Sequence, residues 1–292
     1  MRIDLHTHSR ASDGTDSPGD LVLAAARAGL DAVALTDHDT TEGWTEAAEV
    51  AAGCGIRLVR GLEISCRHAG RGVHLLAYLP DPTYPPLVAE LERILAGRDS
   101  RVPAMVAALQ ALGIEIGHDD VARAAGHAVA TGRPHVADAL VTLGAVRDRT
   151  EAFARYLSAG RPAYVDRYAS PLVEMLALVE AAGGVAVVAH PWGRHDRSTL
   201  DPETIASLAE RGLAGLEVDH EDHDPDERED LRGLARELGL VVTGSSDHHG
   251  TGKTGHDLGC NTTAPGELER LLDLARAAAE RSGRTTPEVV NR

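Results

Sequence analysis

The feature that most constrains this chain is a succession of short apolar segments that each end in cation-binding side chains. The first is Ile3 to Leu5, which leads into HTHSRASDG, His6 to Gly14. In an extended strand residues i and i+2 share a face, so His6 and His8 project together where the strand runs out. Asp13 offers a hard oxygen donor from the loop beyond. Residues 32–35, AVAL, form the continuous apolar run of a buried parallel strand, which ends in Asp37, His38 and Asp39. IRLVRGLEIS ends near Glu63, GVHLLAYLP carries His74, VAVVAHPWG carries His190, and LVVTGSSDHHG carries Asp247 and His249. A lone His-x-His pair is common by chance. The same chemistry at one end of strand after strand is not.

Helix signals separate these segments. Thr15 or Ser17 can cap a helix that has Pro18 and Asp20 in its first turn and ends at Gly29. The alternation predicts an α/β fold with about seven strands, a distorted barrel of the (β/α)7 type whose ligands gather at the C-terminal ends of the strands. From residue 82 to 164 the rhythm stops, and PLVAELERILAGR, RVPAMVAALQALG, DDVARAA, HVADALVTLG and EAFARYLSAG read as consecutive helices. The expected organisation is therefore a first barrel part, 1–81, a helical insertion, 82–164, and a second barrel part, 165–292. The polar tail from Ser282 is expected to be loose.

Composition narrows the partners. A formal charge of −16 argues against binding along a nucleic-acid backbone or an anionic membrane, though it permits a small nucleotide held by metals and a few arginines. No apolar run approaches a membrane span, and the N-terminus enters the first strand directly instead of resembling a signal peptide. Cys54, Cys66 and Cys260 show no paired spacing and read as free thiols of a reducing cytoplasm.

Together, HTHSRASDG, LTDHD, GLEIS with His74, AHP and GSSDHHG resemble the PHP (polymerase and histidinol phosphatase) superfamily of metal-dependent phosphoesterases. Within it the likeness is to stand-alone bacterial nucleotide phosphoesterases with a helical insertion, including 3′,5′-nucleoside bisphosphate phosphatases. That resemblance implies two or three divalent cations. His6, His8, Glu63 and Asp247 would hold the first. Glu63 would bridge to a second, also bound by His74 and His190, and Asp13, His38 and His249 would hold the third. A mixed imidazole and carboxylate set suits Mn, Zn or Fe. Such a cluster supplies a bridging hydroxide and neutralises phosphoryl charge, with Glu63, Asp247 and His249 as the expected catalytic ligands.

For the substrate, TGRPHVA offers Arg133 and His135. A guanidinium binds phosphate in bidentate fashion, and in the resemblance this motif supplies substrate contacts from the insertion. Arg194, just after His190, is a weaker candidate. His248 should point away from the ligands on either side, His68, His118, His127, His195 and His256 read as surface histidines, and Lys253 reads as a solvent lysine that could also reach substrate. Asp219 and His220 stand where relatives often have an aromatic residue, and Asp166 where a proline or neutral residue is usual. The expected activity is hydrolysis of a phosphomonoester of a small nucleotide, first a 3′,5′-nucleoside bisphosphate. A 5′-3′ exonuclease on short RNA and a cyclic-phosphate diesterase are the alternatives within the chemistry, and a regulatory metal-binding module is the alternative outside it.

Overall fold

The computed structural model describes residues 1–193 and 197–290. Strands β1 (Ile3–Asp4), β2 (Ala32–Leu35) and β3 (Arg57–His68) run parallel, linked by helices α1 (Pro18–Arg27) and α2 (Trp44–Cys54). Local chemistry fixes α1. Ser17 Oγ accepts the Asp20 amide at 3.0 Å, Pro18 lacks an amide that would go unpaired there, and Gly29 turns the chain out with φ of 74°.

At β4 (Arg71–Tyr78) the βα alternation breaks. Ala69 and Gly70, both at positive φ, turn the chain back, and β4 pairs antiparallel with β3. This corrects the expectation that His74 ends a parallel strand. His74 lies opposite Ser65 near the start of a reversed strand, and the reversal brings it to the same rim as Glu63. The apolar run GVHLLAYLP fits either direction, because alternation of faces is the same both ways.

Helices α3 (Pro85–Ser100), α4 (Val102–Ala111), α5 (His118–Ala125), α6 (Arg133–Thr142) and α7 (Arg149–Ala152) follow, the last continuing into a π-helical turn, Phe153–Leu157. Leu87, Leu91 and Ile94 of α3 join the core under the barrel helices. Val102, Met105, Leu109, Val136, Leu140 and Leu157 build a separate core among the helices that follow. The chain returns through β5 (Ser170–Pro171), α8 (Leu172–Ala181), β6 (Val185–Val188), α9 (Pro202–Ala209), β7 (Leu213–Asp219), α10 (Pro225–Leu238), β8 (Val241–Gly244) and α11 (Pro265–Ser282).

The sheet runs β1-β2-β3-β4-β6-β7-β8, with β5 on β3 off this path. Its ends meet where the His8 amide donates to the His248 carbonyl at 2.8 Å and Thr7 bridges His248, so the barrel nearly closes. Ile3, Leu5, Ala34, Leu76, Val187 and Val241 meet Leu268 and Leu271 of α11 in a second apolar cluster. Small and branched side chains fill this space around the buried ring of Tyr78, which is how a chain with 3% aromatics packs it. The tail is not loose as far as Val290. Val290 exchanges backbone hydrogen bonds with Leu58 at 3.0 and 3.1 Å, and Arg284 donates to the Ala181 carbonyl. Among the described residues no helix is long and apolar enough to cross a membrane.

Candidate metal centre

The rim formed by the strand ends gathers four overlapping donor groups. These are His6, His8 and Asp247; His38, Glu63 and His74; His8, Asp13, His38 and His249; and His220, Asp247 and His256. His190 joins them, with Nε2 3.2 Å from Glu63 Oε1. Glu63 is central: its Oε2 lies 3.3 Å from His6, 3.2 Å from His8 and 3.1 Å from His38, while Oε1 lies 2.6 Å from His74. The backbone is bent to make this possible. His190 at φ 28° and Asp247 at φ 52° occupy the left-handed region that costs a side chain energy, as does Asp39 at φ 58°.

The donor chemistry fits bound cations. Glu217 Oε1 accepts from His6 Nδ1 at 3.0 Å, which leaves the His6 Nε2 lone pair facing inward. That nitrogen lies 3.0 Å from His8 Nε2, and Asp247 Oδ1 is 3.5 Å from His6 and 3.4 Å from His8. Electron-pair donors converging at such distances require positive charge among them. Burial disfavours charge on both rings, yet Asp247 and Glu63 push His8 up to about 9, and Glu217, Glu63 and Asp247 hold His6 well above its usual value. The carboxylates respond in kind. Burial would raise Glu63, but His74, His38 and His6 hold it well below the carboxylate range. Asp13 is likewise held down against burial by His38 and His249, and Asp247 by Lys253, His6 and His249. His249, buried and beside His8, is depressed to about 4, so its ring is neutral and able to donate a lone pair.

Around these groups lies a supporting layer. Asp37 accepts from the Ser9 amide at 2.8 Å, Ser9 Oγ and Ser12 Oγ, holding the loop that carries Asp13. Asp39 accepts the Ser65 amide and Arg98 Nε. Glu217 also takes the His190 amide at 2.8 Å and the Ser245 hydroxyl. Lys253 is not a free solvent lysine: its Nζ lies 2.5 Å from Asp247 Oδ2. His220 donates from Nε2 to that same oxygen at 3.3 Å, since its Nδ1 accepts the Asp222 amide. His256 is buried, with Nδ1 donating to the Ser246 carbonyl, and so is not a surface histidine. His248 turns away, donating to the His256 carbonyl.

The helical segment leans on the same loop. Val129 donates to the Ala11 carbonyl at 3.1 Å, and Arg149 to the Asp13 carbonyl at 3.0 Å while pairing with Asp138. His135 uses both ring nitrogens within the protein: Nδ1 accepts the Gly132 amide and Nε2 donates to the Ser12 carbonyl, each at 3.0 Å. It thus ties the start of α6 to the metal-side loop, a duty the sequence did not signal. Arg133 donates to the Leu157 carbonyl and faces the rings of Phe153 and Tyr164. Arg194 lies outside the described residues. Glu217 is the clearest residue that sequence reasoning passed over. The signal was an acid inside an apolar strand, between Leu216 and Val218.

A barrel rim of this composition defines a metal-dependent hydrolase. Residues 4–124 match the PHP domain family. The chain is 38% identical over 264 residues to the 3′,5′-nucleoside bisphosphate phosphatase of Chromobacterium violaceum, covering 90% of this chain and 92% of that protein. It is 35% identical to a 5′-3′ exoribonuclease of Haemophilus influenzae, over 85% of this chain and 90% of that one. A solved structure from Bifidobacterium adolescentis, described as a metal-dependent phosphoesterase, superposes with a TM-score of 0.88 at 38% identity, covering 93% of this chain and 96% of the other. The chain belongs to the PHP family of metal-dependent phosphoesterases.

Proposed function

We propose that the protein hydrolyses a phosphomonoester of a small nucleotide, a 3′,5′-nucleoside bisphosphate first, using two or three divalent cations of Mn, Zn or Fe. The observation that carries the reading is the convergence of His6, His8, Glu63 and Asp247 on one point, with Glu63 also reaching His38, His74 and His190. In this assignment His6, His8, Glu63 and Asp247 hold one cation, Glu63, His74 and His190 a second, and Asp13, His38 and His249 a third. Bound cations supply hydroxide at neutral pH and neutralise the phosphoryl oxygens. The chain's residues do the remainder. Glu217 fixes the donor face of His6 and the backbone of His190. Lys253 and His220 hold Asp247 so that its other oxygen faces His6 and His8. Arg133 grips a substrate phosphate, and α6, tied down by His135, closes one side of the cleft. Three thiols with no disulfide fit a reducing cytoplasm.

The identity to the bisphosphate phosphatase along nearly the full chain supports the substrate, and the likeness to the exoribonuclease supports short RNA as a second substrate trimmed from its end. The test is to measure metal content of the purified protein, then offer adenosine 3′,5′-bisphosphate beside a circular single-stranded RNA. Phosphate release from the bisphosphate with the circle intact is expected. Rapid opening of the circle would show that no terminal phosphate is needed, and the reading would fall.

A further inference from the structure

Resting on the metal-centre reading, we propose that the fourth donor group, His220, Asp247 and His256, is a cation niche filled by the chain's own ammonium, Lys253, and that it takes a divalent cation once that ammonium is removed. Lys253 is then a tethered cation that fixes how many exchangeable metal ions the rim holds.

Composition isolates this residue. Of the 29 basic side chains Lys253 is the single lysine, and every other is an arginine. An ammonium is a compact point charge that can stand where a metal ion would, whereas a guanidinium is a broad planar fork. A chain that uses arginine everywhere else keeps lysine at the one basic position whose partner is a ligand of the centre, with Nζ 2.5 Å from Asp247 Oδ2. The ion pairs of the other two rim carboxylates, Glu63 and Asp13, are with imidazoles. Only at Asp247 does the protein bring a fixed positive charge of its own.

The surroundings of that charge have the make-up of a metal niche. One donor atom each from His220, Asp247 and His256 lies within 4.8 Å of the others, and all three side chains are buried. Asp247 divides its oxygens, Oδ1 facing His6 and His8 and Oδ2 facing Lys253. His256 Nδ1 donates to the Ser246 carbonyl, so its Nε2 presents a lone pair. After burial, Lys253 weighs most on that ring and draws it below its usual value, which puts the ammonium beside it. Asp222 Oδ1 stands 3.9 Å from His256 Nε2 as a further oxygen donor. His220 plays a different part. Its Nδ1 accepts the Asp222 amide and its Nε2 donates to Asp247 Oδ2 at 3.3 Å, which steadies the carboxylate. Two carboxylate oxygens and one imidazole nitrogen suit zinc as well as they suit an ammonium.

The loop is shaped to return Lys253 to Asp247. Gly250 and Gly255, at φ 64° and 78°, turn the chain on either side of it. The Thr251 amide donates to Thr15 Oγ1 at 3.0 Å, and His248 Nδ1 donates to the His256 carbonyl at 2.7 Å. Both ends of the loop are thus pinned, and a metal ion entering in place of Lys253 would find its ligands already in position.

The experiment compares the full-length wild type with Lys253→Leu and with the double variant Lys253→Leu/His256→Gln. Each is dialysed to equilibrium against zinc at a concentration that saturates the wild type, and bound zinc is counted by elemental analysis. Lys253→Leu should hold one zinc ion per chain more than the wild type, and the double variant should return to the wild-type count. An equal count in the wild type and Lys253→Leu overturns the proposal, as does an extra ion that survives the loss of His256. A lysine that merely clamps substrate gives the equal count with a raised KM. If the wild type hydrolyses no phosphoester, the functional reading fails, while the difference between the counts still decides the niche. Should Lys253→Leu not fold, Lys253→Ala leaves more room and carries the same expectation and the same refutation.

Discussion

The barrel rim and the helical segment meet at the loop that carries Asp13 and handle charge in opposite ways. On the rim, carboxylates and imidazoles outnumber any positive charge the protein itself supplies: Glu63 alone lies within 3.3 Å of His6, His8, His38, His74 and His190. That wall calls for cations. On the helical side, guanidinium groups meet acceptors that the protein itself supplies: Arg98 donates to Asp39, Arg149 to Asp138 and to the Asp13 carbonyl, and Arg133 to the Leu157 carbonyl. The difference teaches a division of labour, in which the rim gathers donors for cations while the helices close their own pairs and brace the loop that carries Asp13.

Substitutions that act on one wall should therefore leave the signature of the other intact. The largest effect is expected from Glu63→Gln, which keeps the shape but removes the charge shared by the rim imidazoles. Metal content should drop, and kcat should fall on the order of a thousandfold or more, with far-ultraviolet circular dichroism unchanged. Full metal occupancy with near-normal turnover would remove Glu63 from the bridging role. On the other wall, Arg133→Ala should leave metal content as it is while lowering kcat/KM about 30- to 800-fold, the equivalent of about 2–4 kcal/mol from a lost charged hydrogen-bond pair. Unchanged kinetics on every nucleotide would make Arg133 an ordinary helix-start arginine.

Much of the rim could be read before any coordinates, and the reason is geometric. Strand direction and the two-residue alternation place His6, His8, His38 and Asp247 at one end with little freedom. His74 shows the limit: its strand could be recognised but not its reversal, which Ala69 and Gly70 decide. Glu217 was visible as an oddity in an apolar strand, but its partner His6 is 211 residues away. The partner of Arg98 was hidden for the same reason. Arg98 looks like a helix-surface charge, and only tertiary packing carries it to Asp39, 59 residues away in sequence.

Glu217→Gln sharpens the barrel side at a smaller scale. The amide keeps the size of the side chain but can no longer accept as a carboxylate from His6 Nδ1, the His190 amide and Ser245 together. Metal affinity should weaken about 10- to 100-fold, and adding excess metal should restore most of the activity. Loss that no metal concentration restores would show that Glu217 does more than orient the ligands.

The smallest effect should come from His135, because it belongs to neither wall and joins the two. Its Nδ1 accepts the Gly132 amide and its Nε2 donates to the Ser12 carbonyl. His135→Ala leaves both backbone groups without these partners, a cost of about 1–3 kcal/mol each where water cannot replace them. Val129 to Ala11 and Arg149 to Asp13 still connect the helices to the loop, so the segment should loosen without detaching. The expected outcome is faster amide exchange in residues 9–14 and 129–136, KM raised about three- to tenfold, and metal content and kcat close to wild type. A direct contact between His135 and substrate gives a different pattern: a loss in kcat/KM as large as that of Arg133→Ala, with exchange in residues 9–14 unaltered. Measuring exchange and kinetics on the same variant separates a tie between the walls from a contact with the phosphate.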